Sequence, residues 1–219
     1  AAPGQDDRGR RAALDQGRIV SRIAIIDTST ANIASVRFAL ERLGLSPALA
    51  RDPDEAAEAE RLILPGVGAA GPAMRTLTER GWTEVLRRRE RPVLGLCLGM
   101  QLLFERSDED GAALLGLIPA QIERLHPGEA GPWPHMGWNA LEDLAEDEVL
   151  VAGLEPGERV YFVHGYYATA GPWTRASAQY GPAITAIARD GEAVGCQFHP
   201  ERSGVVGARI LANFTGASV

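Results

Sequence analysis

Arg91-Pro92-Val93-Leu94-Gly95-Leu96-Cys97-Leu98-Gly99-Met100-Gln101 decides the architecture. Val93 to Leu96 is a short, continuous apolar run, the pattern of a strand buried on both faces of a parallel sheet. It ends on a cysteine with a glycine two residues to either side, and a helix-forming run, Met100 to Glu105, follows. Gly-x-Cys-x-Gly between strand and helix is the cysteine form of a nucleophile elbow. The glycines permit a turn too tight for a side chain. The sulfur then stands at the carboxyl end of a strand and over a helix N-terminus, where the dipole favours a thiolate. A buried structural cysteine is the competing reading; the paired glycines weigh against it.

A nucleophilic cysteine needs a base. The stretch Gly195-Cys196-Gln197-Phe198-His199-Pro200-Glu201 offers one. A largely apolar strand, Ala193 to Phe198, delivers His199 at its carboxyl end, and Pro200 stops the strand. Glu201 is placed to hold the imidazole through a carboxylate hydrogen bond, so Cys97, His199 and Glu201 read as nucleophile, base and orienter. Both motifs end strands on the side where open α/β sheets bind ligands. A third stretch, Leu62-Ile63-Leu64-Pro65-Gly66-Val67-Gly68-Ala69-Ala70, runs from a buried strand through a Pro-Gly-x-Gly loop into a helix. Such a loop can turn backbone N–H groups toward a developing negative charge. Val67 and Gly68, with the N–H of Leu98, are the oxyanion-hole candidates. A phosphate loop is excluded by the lack of a following Gly-Lys-Ser/Thr.

Pro-Gly-Val-Gly, Gly-Leu-Cys-Leu-Gly-Met-Gln and His-Pro-Glu, in that order, resemble the class I (triad) glutamine amidotransferases. Pro134-His135-Met136-Gly137-Trp138-Asn139 and Tyr161-Phe162-Val163-His164-Gly165-Tyr166-Tyr167 narrow the resemblance to the glutaminase subunits of imidazole glycerol phosphate synthase. Met100 points the same way, since other class I glutaminases usually carry histidine there. The resemblance covers about residues 22 to 216.

It implies a flavodoxin-like, doubly wound, mainly parallel α/β sheet with an antiparallel extension. It implies hydrolysis of L-glutamine to glutamate and ammonia through a glutamyl thioester on Cys97, with no cofactor and no metal. Gln101, Gly165 and Tyr166 are the implied substrate-binding residues. The implied partner is a separate (β/α)₈-barrel cyclase subunit in a heterodimer, because the chain has no room for a barrel of ~250 residues. His135, Met136, Trp138, Asn139 and Arg202, with Tyr166 and Tyr167, are expected on the face toward it, as interface or gate. Competing assignments are a glutaminase serving anthranilate or pyridoxal phosphate synthesis, a non-catalytic homologue, and a cysteine peptidase of similar fold. Met100 and the His-Met-Gly-Trp-Asn run oppose the first; the intact triad opposes the second; Gln101 and the Pro-Gly-Val-Gly loop favour a small amide over the third.

The chain departs from the family in three places. The first strand usually runs into Asp-Tyr-Gly-x-Gly-Asn; here it runs into Asp27-Thr28-Ser29-Thr30-Ala31-Asn32, which predicts a different backbone path, because glycine tolerates positive φ most cheaply. The family's usual serine is Gly165 here, a loss expected to weaken glutamine binding unless the backbone makes the contact. The lysine usual after His-Pro-Glu is Arg202, in a chain whose 22 basic residues are all arginine.

Composition agrees with a soluble enzyme. The chain has 219 residues, 45% of them hydrophobic and 23% charged. That is enough for one sizeable domain against roughly 100–200 residues per domain. A net charge of −7 and pI of about 5.2 argue against a nucleic-acid binder. No apolar run approaches the ~20 residues of a membrane span. Two cysteines and no secretory signal suggest the reducing cytoplasm, with Cys196 a small core residue. Residues 1–20, charged and unpatterned, are expected to be a disordered extension; residues 21–219 are expected to form the amidotransferase domain.

Alternation predicts strands at Ile23 to Asp27 and Arg61 to Leu64 and helices at Asn32 to Leu43 and Ala69 to Arg89. From Ile118 shorter strands are expected at Gln121 to Leu125, Gly137 to Leu141, Arg159 to Ala168, Ile184 to Arg189 and Ala193 to Phe198, with a closing helix at Gly204 to Asn213. The acidic residues Glu105, Asp108, Glu109 and Asp110 are read as a solvated loop, with one carboxylate able to meet the amino group of glutamine as the alternative.

Overall fold

The computed structural model describes residues 22–29 and 32–218. The expected extension, residues 1–20, lies outside the described residues, as do Thr30 and Ala31.

The first half alternates as the sequence indicates. Strand β1 (Ile23–Ile26) leads to helix α1 (Ile33–Arg42), capped by Asn32, whose side chain accepts the Ser35 N–H. Strands β2 (Ala48–Ala50) and β3 (Arg61–Gly66) follow, then helices α2 (Ala70–Glu79) and α3 (Trp82–Arg87). The single helix expected from Ala69 to Arg89 is divided because Gly81 takes the left-handed φ of 79°. Strand β4 (Val93–Cys97) runs directly into α4 (Leu98–Gln101).

The second half is strand-rich: β5 (Arg106–Ser107), β6 (Gln121–Arg124), β7 (His135–Ala140), β8 (Arg159–His164), β9 (Tyr166–Ala168), β10 (Thr174–Gln179), β11 (Ala183–Asp190) and β12 (Ala193–Cys196). A 3₁₀ turn, Pro200–Arg202, and helix α5 (Gly204–Thr215) close the chain. The expected strand Arg159 to Ala168 is two strands broken at Gly165, and β2 and β10 are strands the sequence did not signal.

Seven strands form the main sheet in the order β10-β11-β12-β4-β3-β1-β2. The five from β12 to β2 are parallel, and β11 and β10 extend the sheet in antiparallel fashion. This is the expected doubly wound sheet with its antiparallel extension. Its central strands β12, β4, β3 and β1 are buried on both faces. Ile23 and Ile25 pack with α1 and α5 on one side, while Ala24 and Ile26 pack with α2 and α3 on the other. The two smaller sheets, β5-β6-β9 and β7-β8, lie beyond the carboxyl ends of the central strands and enclose the space there. Cys196 is fully buried in the first cluster, as expected, and burial pushes its thiol pKa well up.

Candidate active site

The elbow's geometry follows from its glycines. Cys97 sits at φ 53°, ψ −109°, a left-handed conformation strained for a residue with a side chain. A Cβ on Gly95 would stand 2.5 Å from the Gly99 carbonyl oxygen, and one on Gly99 would overlap the Leu64 carbonyl oxygen. Strand β3 and helix α4 thus approach to a distance only glycine allows, and that approach drives the turn at Cys97. Helix α4 has four residues, shorter than the run Met100 to Glu105 led us to expect. Leu102, Leu103 and Phe104 leave the helix to fill the core instead, each fully buried. So short a helix offers N–H groups but little macrodipole.

His199 is fixed by a carboxylate. Its Nδ1 lies 2.8 Å from Glu201 Oε1, and the Glu201 side chain, on the 3₁₀ turn, is only 4% exposed. Burial opposes charge on the imidazole, but the adjacent Cys97 sulfur and the Glu201 carboxylate outweigh it and raise the His199 pKa to about 10. Among the described residues His199 Nε2 has no hydrogen-bond partner, so it remains free for a reacting group. An unpartnered buried nitrogen is costly in a structural residue and expected of a catalytic one. The Cys97 sulfur lies 3.6 Å from the Val163 carbonyl oxygen and 3.9 Å from Gln197 Nε2, which points its amide toward it.

A cavity of about 450 Å³ opens over these residues, lined by Cys97, His199, Val67, Gly68, Leu98, Gln101, Glu109, Gly165 and Tyr166 among others. All three oxyanion-hole candidates therefore reach it. Gly68 takes a φ of 94°, which demands glycine, whereas Gly66 is a glycine of close approach, since its Cβ would meet the Gly99 nitrogen at 2.7 Å. Gln101 is buried, and its amide donates to the Tyr166 carbonyl (2.8 Å) and to Gln197 Oε1 (3.0 Å). It anchors the elbow to β9 as well as lining the cavity. Glu109, from the acidic run, reaches the cavity wall while its Oε2 accepts the Ala70 N–H at 2.8 Å.

The expected partner face divides. Along β7, Met136 and Trp138 are 62% and 50% exposed, and alternation turns His135 inward. Trp138 packs edge-on against Tyr161, and the exposed Arg202 lies 4.9 Å over the Tyr161 ring, so Met136, Trp138, Tyr161 and Arg202 form one outer patch. Against expectation, His135 is 2% exposed, sandwiched between Phe162 and Tyr180. Asn139 also turns in, donating to the Gln179 carbonyl at 2.8 Å. Tyr167 is buried against Leu125 and Ile184, and Tyr166 packs on the inner core.

His135 belongs to an internal chain instead. Its Nδ1 is 3.0 Å from His164 Nε2, and His164 Nδ1 is 2.9 Å from the Tyr166 carbonyl oxygen. Burial lowers the His135 pKa to about 4; burial, then the charge of His135, lower that of His164 to about 3. Both rings are neutral at ordinary pH. With the carbonyl accepting from His164, the tautomers are fixed and His135 donates inward. The sequence reading passed over His164, Gln197 and Trp133. Gln197 did carry a signal: a polar side chain inside a buried apolar strand needs a partner.

After β1 the chain is described as far as Ser29. Ser29 itself takes a φ of 59°, at the position of the family's first glycine. Its N–H donates to Asp27 Oδ1 at 2.8 Å, and Arg80 donates to the Asp27 carbonyl and to the Ser29 hydroxyl. These contacts hold a conformation that costs a side-chain-bearing residue about 1–2 kcal/mol. Thr30 and Ala31, where the rest of the expected different path falls, lie outside the described residues.

Comparison with known proteins bears on this geometry. The family model for glutamine amidotransferase class-I matches residues 24–217. The imidazole glycerol phosphate synthase subunit HisH of Vibrio cholerae is 44% identical over 202 residues, covering 90% of this chain and 98% of its own length. The same subunit of Xanthomonas axonopodis pv. citri is 48% identical over 192 residues, covering 88% and 96%. Among solved structures, a glutamine amidotransferase shares the fold with a TM-score of 0.69 at 20% identity, covering 88% of this chain and 96% of its own. PurLQS from Thermotoga maritima does so with a TM-score of 0.69 at 20% identity, covering 90% and 99%. A match spanning nearly the whole domain, with near-half identity to such relatives, means that the chain belongs to the class I glutamine amidotransferase family.

Proposed function

We propose that this chain is the glutaminase subunit of an imidazole glycerol phosphate synthase, hydrolysing L-glutamine to glutamate and ammonia for a separate cyclase subunit. One observation carries the reading: a strained cysteine at a strand end shares a cavity with a buried His–Glu pair, in a chain 44–48% identical to HisH subunits over about nine-tenths of its length.

The chemistry follows from the groups present. The Cys97 thiolate attacks the side-chain carbonyl carbon of glutamine. The tetrahedral oxyanion accepts from the N–H of Leu98 and from the Val67–Gly68 loop, each such donor being worth about 3 kcal/mol. Protonated His199, through Nε2, gives its proton to the leaving nitrogen, and ammonia departs, leaving a glutamyl thioester. Neutral His199 then takes a proton from water, the hydroxide adds to the thioester carbon, and the carbon–sulfur bond breaks to release glutamate and restore the thiolate. Glu201 holds the ring in position throughout. Glu109 at the cavity wall is suited to the α-ammonium of glutamine, and Gly165 and Tyr166 form the opposite wall.

Free ammonia in bulk water is protonated and lost, so a docked acceptor is required. The outer patch of Met136, Trp138, Tyr161 and Arg202 is the surface we assign to the cyclase, in a heterodimer. Aromatic residues, methionine and arginine are the types enriched at interface cores. We take residues 21–219 as one amidotransferase domain. Among the described residues no helix is long and apolar enough to cross a membrane. Two free cysteines, one of them the catalytic thiol, suit the reducing cytoplasm.

Glutamate release, measured for the chain alone and with the cyclase subunit and its nucleotide ligand, tests the assignment. Strong stimulation by the liganded cyclase is expected. No glutamate release in either condition from folded protein refutes it.

A further inference from the structure

Gly165 has no positive φ, so its backbone does not require glycine. What requires it is Trp133. A Cβ at position 165 would stand 2.6 Å from Cζ2 and 2.9 Å from Cε2 of the Trp133 indole, inside van der Waals contact. The indole and any side chain at 165 are mutually exclusive in this arrangement.

The indole is held in place from several directions. Its N–H donates to the Gly165 carbonyl at 2.9 Å. The Arg124 guanidinium lies 4.4 Å over its ring. The preceding residue is pinned as well, since the Tyr180 hydroxyl donates to the Pro132 carbonyl at 2.9 Å. Trp133 is 45% exposed yet lines the same cavity as Cys97 and His199, which are 7% and 6% exposed. It therefore stands toward the mouth, with the nucleophile at the floor. Its one polar group is already occupied, so it offers the cavity only apolar ring surface.

We propose that Trp133 is a substrate-contacting residue in this chain, closing the outer wall of the glutamine pocket in the volume that the family's usual serine at 165 would need. A hydroxyl contact is exchanged for apolar coverage of the substrate's methylene chain, while Glu109 and backbone groups read the polar ends. The inference rests on the glutaminase reading. It also corrects the expectation that Gly165 is a simple loss: restoring serine alone does not restore a contact, because the indole stands in the way.

A double-mutant cycle on glutamine turnover with the liganded cyclase tests this, with melting temperatures taken for every variant. Gly165→Ser is expected to raise KM for glutamine about tenfold with kcat little changed, as the serine displaces the indole. Trp133→Leu is expected to raise KM about fivefold. The double variant is expected to return to within about threefold of the parent, because leucine vacates the space the serine needs. Independent effects that multiply in the double variant, or an unchanged KM in Trp133→Leu, overturn the proposal. A second reading needs no turnover. In a Cys97→Ala background, added glutamine should change the tryptophan emission, and a further Trp133→Phe substitution should abolish that change. Glutamine binding seen by calorimetry with the same emission change in both proteins also overturns it. A parent that binds glutamine but never hydrolyses it would sink the glutaminase assignment and leave this wall standing.

Discussion

Replacing Glu201 with glutamine removes one charge from the catalytic dyad and little volume. In the parent the carboxylate accepts from His199 Nδ1 at 2.8 Å, and among the described residues its other oxygen has no partner. Glutamine can present its oxygen to Nδ1–H, which keeps the tautomer but loses the charge. Presented the other way, its amide donates to Nδ1 and forces the wrong tautomer. A hydrogen bond to a charged group is worth about 1.5–3 kcal/mol, so the expected loss in kcat/KM is about ten- to 150-fold. The pH profile supplies a sharper signature. His199 has its pKa raised from 6.5 to about 10, with Cys97 and Glu201 together overcoming burial. The imidazolium is the acid for the leaving ammonia, so kcat/KM falls as pH rises through that value. Without the Glu201 charge the pKa drops and this alkaline limb moves to lower pH. Stability moves with it. A folded-state pKa above the unfolded one contributes stability that is full below about 6.5 and lost as pH rises toward 10. In the variant the loss still begins near 6.5, but it is smaller and is complete at lower pH. The assay is glutamate release with saturating cyclase and nucleotide ligand across the pH range. A kcat/KM within about threefold of the parent with an unmoved alkaline limb refutes the assigned role of Glu201.

Three further outcomes are expected. Cys97→Ala abolishes glutamine hydrolysis while the cyclase complex still makes product from added ammonium salts; retained glutamate release would remove Cys97 as nucleophile. Gly99→Ala forces a methyl group onto the Leu64 carbonyl, which cannot swing away, and should cost about 3 kcal/mol or more together with most activity; an unchanged melting curve would show that the elbow is looser than its geometry indicates. Far from the site, Arg189 donates twice to Glu148, at 2.5 and 2.7 Å, and the Glu148 side chain is 1% exposed. Glu148→Ala leaves the guanidinium, 28% exposed, without its partner. With that exposure softening the penalty, the loss is about 3 kcal/mol, or roughly 6–12 °C in Tm for a domain of this size, at unchanged glutaminase KM.

Much of the site was legible because its causes are local. The elbow is written in Gly95, Cys97 and Gly99: two glycines where strand and helix touch, and a side chain only where the turn exposes it. His199 and Glu201 lie two residues apart around a proline that ends the strand, so their contact needs no distant part of the chain. The apolar runs of β1, β3 and β4 announce strands buried on both faces, and the parallel sheet follows from their alternation with helices. Gly81, which divides α2 from α3, was visible but is no stronger in sequence than a tolerated mid-helix glycine. Strands β2 and β10 carried no signal, because short or polar strands at a sheet edge form by pairing with a neighbour already in place.

Tertiary structure decided the rest, since it depends on which faces meet. The motif around His135 reads as one block, yet strand alternation sends Met136 and Trp138 outward and buries His135 in a chain with His164. Gln101 and Gln197, 96 positions apart, find each other only once β4 and β12 lie side by side. Gly165 looks like a lost hydroxyl in the sequence, and only the packing of Trp133 against it explains the glycine. By itself the sequence determined the strained elbow at Cys97, the His199–Glu201 pair and the sheet that carries them, because short-range sterics dictate those. The shape of the substrate wall and the division of the β7 motif between inside and outside were decided by side chains distant in the chain competing for the same volume.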